Sequence, residues 1–257
     1  MLTIYDWFGY EIPMKQRYRM IRQAGFDGVL LWWSEDFDRG DYRESPALAR
    51  AAGLFVEDIH TPFDGINNLW LDNIDGEALT DCLLQCVTDC AAFEIPTMIV
   101  HLSGGENPPS YNPLGISRIS RVVGKAERLG INVALENLRH VAYLDYVLNQ
   151  INSPRLGFCY DSGHHNCRNP GDDMMGRHGS RLMALHLHDN DGSDDQHLLP
   201  FDGTTDWPAI MASIAGTGYT GPTALEVMNG GYERLSPEEF LAAAFERGKR
   251  LEGMRKC

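Results

Sequence analysis

The sequence has little positive charge and no long apolar run. Twenty-two Lys and Arg stand against 36 Asp and Glu, a formal charge of -14. No basic cluster lies along any segment, and proteins that grip polyanions draw on such clusters. Nucleic acid is therefore a disfavoured partner, although a bound cation would locally offset acidic side chains. A bilayer span needs ~20 consecutive apolar residues, and none is present. The start, Met1-Leu2-Thr3-Ile4-Tyr5-Asp6, has neither the basic residues nor the apolar stretch of a secretory signal, so the expectation is a cytoplasmic protein without membrane contact. Low-complexity tracts are missing, and no Gly-rich loop with lysine follows a strand-like run, which removes the usual sequence signature of a phosphate cradle. Cysteine is sparse, at six. A reducing cytoplasm disfavours disulfides. Cys82, Cys86 and Cys90, spaced by four in a helix-like segment, read as small buried apolar residues rather than a redox or metal site.

What is present is an ordinary globular composition, 43% hydrophobic and 23% charged, over 257 residues. That length suits one (β/α)8 TIM barrel, roughly 250 residues, so a single domain over residues 1–257 is expected. Short β-rich runs alternate with longer segments of helical period, the pattern of βα units around a parallel sheet. The predicted strands are Leu2 to Asp6, Gly28 to Trp32, Leu54 to His60, Thr97 to His101, Asn132 to Glu136, Leu156 to Asp161, Met183 to His188 and Thr223 to Val227. Helices are punctuated by Pro13 and Gly25, by Ser45-Pro46 and Gly53, by Pro113 and Gly130, by Asp206-Trp207-Pro208, and by Ser236-Pro237-Glu238-Glu239. The longest connections are predicted after strands three, four and seven, and long loops on one barrel face are usually functional.

Strands three to eight each end on or beside a side chain able to bind a metal: His60, His101, Glu136, Asp161, His186 and Glu226. Barrels keep their active sites at that end. Glu136 and Glu226 each follow an apolar run, where an unpaired buried carboxylate would cost several kcal/mol or so, and a cation is the economical partner. Asp161-Ser-Gly-His164 sets a carboxylate and an imidazole three residues apart over a glycine turn. Period two in a strand sends His186 and His188 to one side, where only one need be a ligand. Downstream, Asp195-Gln-His197 lies in a turn-rich loop that returns another carboxylate–imidazole pair toward the barrel mouth.

Together these segments resemble the xylose isomerase-like superfamily of TIM barrels, which holds sugar isomerases and epimerases and also the endonuclease IV group. The resemblance covers most of the chain and rests on Val-Ala-Leu-Glu136-Asn, Tyr-Asp161-Ser-Gly-His164, His186-Leu-His-Asp189 with Asp195-Gln-His197, and Ala-Leu-Glu226-Val. In the epimerase branch one Mn²⁺, Mg²⁺, Co²⁺ or Zn²⁺ sits among two glutamates, an aspartate and a histidine. The resemblance maps these to Glu136, Glu226, Asp161 and His186. The endonuclease branch adds ligands for a trinuclear zinc cluster, and matching residues His60, His101, His164, Asp195 and His197 are all present. That branch tends to have asparagine where His188 stands, which leaves His186 and His188 open as alternatives.

A divalent ion held by such ligands polarises a carbonyl and its neighbouring hydroxyl, and a carboxylate beside it removes the C–H proton between them. The resemblance thus implies a metal-dependent isomerase or epimerase acting on a keto-sugar or related polyol. Glu136 and Glu226 would exchange the proton through a metal-stabilised enediolate. The alternative is a zinc-dependent endonuclease IV-like phosphodiesterase on abasic DNA, supported by the surplus ligands and opposed by the charge and the absence of basic insertions. A barrel that binds a sugar without reacting it is a third reading. Relatives in the isomerase branch are often oligomers, so a homo-oligomer is also an expectation. Trp7, Trp32, Trp33, Phe63 and Trp70 fall at or after early strand ends, where aromatic faces pack on sugar rings or close a pocket. Trp7, Trp32, Phe63 and Arg139 are the expected substrate contacts. Arg39 and Arg43 are further nearby cations, and a neutral sugar is favoured over a sugar phosphate because the phosphate loop is missing.

Overall fold

Parallel strands covered by helices are buried on both faces and read as continuous apolar runs. Eight largely buried runs, most of them apolar, form strands in the computed structural model, which describes residues 1–35 and 40–255. They are β1 (Leu2–Tyr5), β2 (Gly28–Trp32), β3 (Phe55–His60), β4 (Thr97–Val100), β5 (Asn132–Glu136), β6 (Leu156–Asp161), β7 (Leu182–His186) and β8 (Thr223–Leu225). Each pairs in parallel with its sequence neighbour from β1 to β7, and β8 pairs with β1. A parallel bridge between Leu187 and Leu225 closes the ring. The amide of Leu187 donates to the Ala224 carbonyl at 2.9 Å, and that of Glu226 to the Leu187 carbonyl at 3.1 Å. The molecule is the expected (β/α)8 barrel.

Among the described residues, nine α-helices accompany these strands: α1 (Met14–Ala24), α2 (Ser45–Ala51), α3 (Ile74–Ala92), α4 (Pro113–Leu129), α5 (Val141–Gln150), α6 (Ser162–Arg168), α7 (Met174–His178), α8 (Trp207–Gly216) and α9 (Pro237–Arg255). The predicted punctuation is visible in their ends. Gly25 and Gly130 close α1 and α4 in the left-handed conformation that glycine adopts without steric cost. Asp206 caps α8 by accepting the Ala209 amide at 3.1 Å. Ser236 and Glu239 form a reciprocal capping box on α9, each side chain accepting the other's amide.

Four predicted strands end early, β1 and β4 by one residue and β7 and β8 by two, and for the last two the reasons are local. Beyond β7, Ser162 Oγ accepts the His188 amide at 3.0 Å and donates to the His188 carbonyl at 2.7 Å, so a side chain replaces strand pairing there. Past β8 the Met228 amide turns to the His197 carbonyl at 3.0 Å. Residues 61–73, 101–112 and 187–206 are the long connections expected after β3, β4 and β7, and all leave the end of the barrel where the strands finish.

The large core lies between barrel and helices, while a small inner cluster of Ile99, Ala134, Cys159 and Ala184 fills the barrel itself. Cys86 and Cys90 are buried and Cys82 is half-buried, and every described cysteine is free. Trp33 and Trp70, expected among the rim aromatics, belong to the core instead. Trp33 donates to Asp89 at 3.0 Å and packs on Tyr42 and Phe93, and Trp70 donates to the Leu102 carbonyl at 2.6 Å. An indole that finds a buried acceptor is stabilised away from water. Among the described residues, no helix is long and apolar enough to cross a membrane.

Candidate metal centre

Strand ends deliver the acidic side chains to one point. Glu136 finishes β5, Asp161 finishes β6 and caps α6, His186 finishes β7, and Glu226 follows β8. One donor atom from each of the four lies within 4.8 Å of all the others, and all four side chains are buried. His186 Nδ1 is 3.3 Å from both Glu136 Oε2 and Glu226 Oε2, yet it has no hydrogen-bond partner. A nitrogen aimed between two carboxylates and aligned with neither is placed as a ligand to a shared cation would be.

The remaining predicted donors surround this group. His60 Nε2 and His101 Nε2 approach Glu136 Oε2 at 3.3 and 3.2 Å and lie 3.1 Å from each other. His164 stands between Glu136, at 3.1 Å from Nδ1, and Asp195, at 3.1 Å from Nε2. His197 Nε2 reaches the same Asp195 oxygen at 3.3 Å, while its Nδ1 donates to the Glu226 carbonyl at 2.7 Å. His197 holds φ at 50°, a left-handed conformation unusual for a residue with a side chain and a common form of stored strain at functional sites. His188 Nε2 lies 3.1 Å from Asp161 Oδ2, and its ring stacks on His197 with centroids 4.0 Å apart. The geometry separates the two histidines that the sequence left open. His186 completes the four-donor group with Asp161, whereas His188 joins a different group with His197 and Glu226.

Burial and mutual contact set the protonation of the metal-free cluster. Burial pushes Glu136 up, but the imidazoles of His101 and His186 outweigh it and hold the carboxyl well below its usual range. Asp161 is lowered in the same way, burial being overcome by His164 and His188. Burial, followed by repulsion from Glu136 and Asp161, raises Glu226 well above the usual range. Burial lowers His101; it also acts to lower His164 and His188, but there the neighbouring carboxylates, Asp161 foremost with Asp195 and, for His164, Glu136, together outweigh it and raise both. Three buried carboxylates this close are unfavourable without compensating positive charge. Buried oxygen and imidazole donors, several of them orphaned (His164 Nδ1, His186 Nδ1, Asp195 Oδ1), fit Mn²⁺, Mg²⁺, Co²⁺ or Zn²⁺.

A cleft opens above the cluster. One cavity of about 430 Å³ is walled by Tyr5, Trp7, Trp32, Phe63 and Met228 on its aromatic and apolar side, and by Glu136, Glu226, His164 and His197 on the other. A second, about 450 Å³, shares Phe63, Asp64, His101, His164 and Asp195 with the first and is lined also by Arg139 and Arg168. The expected contacts Trp7, Trp32 and Phe63 thus line the first cavity and Arg139 the second. Arg43 instead pairs with Asp89 at 3.9 Å and lies over the Tyr42 ring, and Arg39 lies outside the described residues.

Sequence reasoning missed the residues that hold this arrangement. Asn137 donates to the Asp161 carbonyl and accepts the Asp161 amide, both at 2.8 Å, tying β5 to β6. Cys159 offers its thiol to the group formed by Glu136 and His186, and its place two residues before Asp161 on β6 could have signalled this. The turn expected at Gly163 is a correction. That glycine lies inside α6, and a Cβ there would collide with the His188 ring.

Fold and site together define an eight-fold barrel with an imidazole–carboxylate cluster at the carboxyl ends of its strands. The chain belongs to the xylose isomerase-like TIM barrel family, whose model matches residues 18–251. It is 39% identical over 131 residues to the uncharacterized protein y4fM of Sinorhizobium fredii, 48% of this chain and 42% of that protein. It is 26% identical to the uncharacterized protein MJ1311 of Methanocaldococcus jannaschii, over 66% of this chain and 64% of that one. The chain therefore matches less than two-thirds of the length of either protein. A fructoselysine 3-epimerase of Shigella flexneri is 22% identical over 94% of both chains. The crystal structure of a D-psicose 3-epimerase with D-tagatose, from Clostridium cellulolyticum H10, superposes with a TM-score of 0.81 at 14% identity, over 100% of this chain and 99% of that one.

Proposed function

We propose that the protein is a divalent-metal-dependent isomerase or epimerase of a keto-sugar or related polyol. The observation that carries this reading is the buried group of Glu136, Asp161, His186 and Glu226 at the floor of an aromatic-walled cleft. Sugar 3-epimerases among its relatives and structural neighbours support it. Glu136, Asp161, His186 and Glu226 would hold the ion. Bound there, it would supply Lewis-acid polarisation of the substrate carbonyl and adjacent hydroxyl, acidifying the C–H bond between them.

The protein's own groups would do the proton work. Glu136 and Glu226 rise from β5 and β8 on different sides of the barrel, so one carboxylate can take the proton and the other return it on the opposite face. His101 and His164, both within 3.2 Å of Glu136, would orient that carboxylate. Trp7, Trp32 and Phe63 would cover the sugar and exclude water.

The test is turnover of a ketose panel by metal-loaded protein in deuterium oxide. Deuterium should enter the carbon beside the carbonyl, and Glu136→Gln and Glu226→Gln should each lower kcat by about 10²–10⁴-fold. Turnover without solvent exchange would replace proton abstraction by a hydride shift.

One observation favours a second reading. His60, His101, His164, Asp195 and His197 all converge on the same cluster, more donors than one ion uses. Three zinc ions per chain by elemental analysis, together with cleavage of an abasic duplex, would establish a phosphodiesterase. One ion per chain and no cleavage would remove it.

A further inference from the structure

We propose that the substrate carries an anionic arm, a carboxylate or phosphate, that lies in the second cavity on Arg139 and Arg168 while its ketose portion reacts in the first. The inference rests on the isomerase reading of the site and adds the substrate class. The two cavities form one cleft, because Phe63, Asp64, His101, His164 and Asp195 line both. Their chemistry differs. Among the described residues no Lys or Arg lines the first, whereas the second presents Arg139 from the connection after β5 and Arg168 from the end of α6.

Both guanidinium groups have donors to offer. Arg139 is 3.9 Å from Glu106, and Arg168 is 2.6 Å from Asp194, and those two carboxylates are 78% and 73% exposed. Ion pairs whose acidic partner is solvent-exposed are weak enough for a substrate oxyanion to compete with, and each guanidinium carries five N–H donors suited to carboxylate or phosphate. The opposing acids are Asp64, exposed at the shared rim, and Asp195, already engaged by His164 and His197.

Another part of the lining, Asn67, Gly104 and Gly105, permits close approach. Asn67 brackets Gly104, donating to its carbonyl and accepting its amide at 2.9 Å each. Next to it, Gly105 has φ of 73° and no atom within 4 Å of where a Cβ would stand. An arm in this cavity is continuous with the reacting carbon, since His101 and His164 line it and also contact Glu136. The sequence pointed to a neutral sugar because it lacks a phosphate loop. Two arginines 29 positions apart, one after β5 and one at the end of α6, leave no contiguous motif to read.

The test measures binding by calorimetry and kcat/KM on the metal-loaded protein with D-fructose, D-fructose 6-phosphate and 5-keto-D-gluconate. At least one anionic ketose should bind about tenfold or more tightly than fructose, in line with hydrogen bonds to a charged group. The phosphate and carboxylate arms show which oxyanion the site takes. In R139Q/R168Q the preference should fall to about one, with fructose binding as the control for folding. Equal binding of neutral and anionic ketoses by the native protein overturns the proposal. So does a preference that survives in R139Q/R168Q, the result expected if the anion sits on the metal. Because binding is read separately from turnover, a protein that binds anionic ketoses through the arginines but converts none would retain this inference and lose the isomerase reading.

Discussion

His186 and His188 share a strand-end motif and differ in what surrounds them. His186 Nδ1 lies between Glu136 and Glu226. The His188 ring fills the space that Gly163 leaves open. Gly163→Ala should therefore displace His188 and with it Asp161, whose Oδ2 it contacts. The expected cost is about 1–3 kcal/mol, as for overpacking elsewhere. Urea unfolding of the metal-free protein would measure it, with metal affinity falling in parallel. An unchanged midpoint would show that the ring has room to move. The sequence displayed the residues of Asp161-Ser-Gly-His164 but not this contact, because the glycine and the ring it accommodates lie 25 positions apart in the chain.

At the scale of elements, the connection from β7 to α8 brings Asp195 and His197 to the cluster, and one side chain organises it. Asp189 is fully buried and accepts four hydrogen bonds: Oδ1 takes the amides of Asn190 and Thr205, and Oδ2 takes the amide of Phe201 and the indole of Trp207. Asp189→Ala should cost roughly 3–5 kcal/mol, since it leaves buried donors without partners. It should also lower metal content and kcat/KM together, by elemental analysis and rate measurement. Loss of stability with a fully loaded, active site would show that the loop is positioned by something else. The pairs Pro13–Gly25 and Pro113–Gly130 made α1 and α4 legible because helix ends are local chemistry. The work of Asp189 was not legible, since its partners reach 18 residues along a loop without periodicity.

For the whole molecule, the cluster makes stability depend on pH and metal together. Glu136 and Asp161 lie below their ordinary values of 4.5 and 3.8, so their contributions are complete above those values and are lost as acid protonates them. His164 and His188 are raised above 6.5, so theirs are complete below 6.5 and are lost as pH rises through the folded values. Glu226, raised above 4.5, has the same sign but a lower starting point: its contribution is complete below 4.5 and is lost as pH rises through its folded value. Because His164, His188 and Glu226 together outnumber His101, whose lowered value acts in the opposite sense, the metal-free protein should melt higher at pH 6 than at pH 8. A divalent ion replaces the protons, so Mn²⁺ or Zn²⁺ should raise the melting temperature more at pH 8 than at pH 6. Scanning calorimetry with and without chelator checks this, and an equal rise at both values would mean the ion does not bind at the cluster.

By itself the sequence determined the barrel and the acidic and imidazole side chains at its strand ends. Strand period, proline and glycine punctuation, and a His, Asp or Glu at six successive strand ends are properties of short segments, and closure of a parallel ring brings such ends to one face. Only the tertiary structure decided which histidine lies between Glu136 and Glu226, that Trp33 and Trp70 are core, that Cys159 lies beside Glu136 and His186, and that Arg139 and Arg168 line one cavity. Each depends on the angle at which side chains from distant segments meet, and the packing of the closed barrel sets that angle.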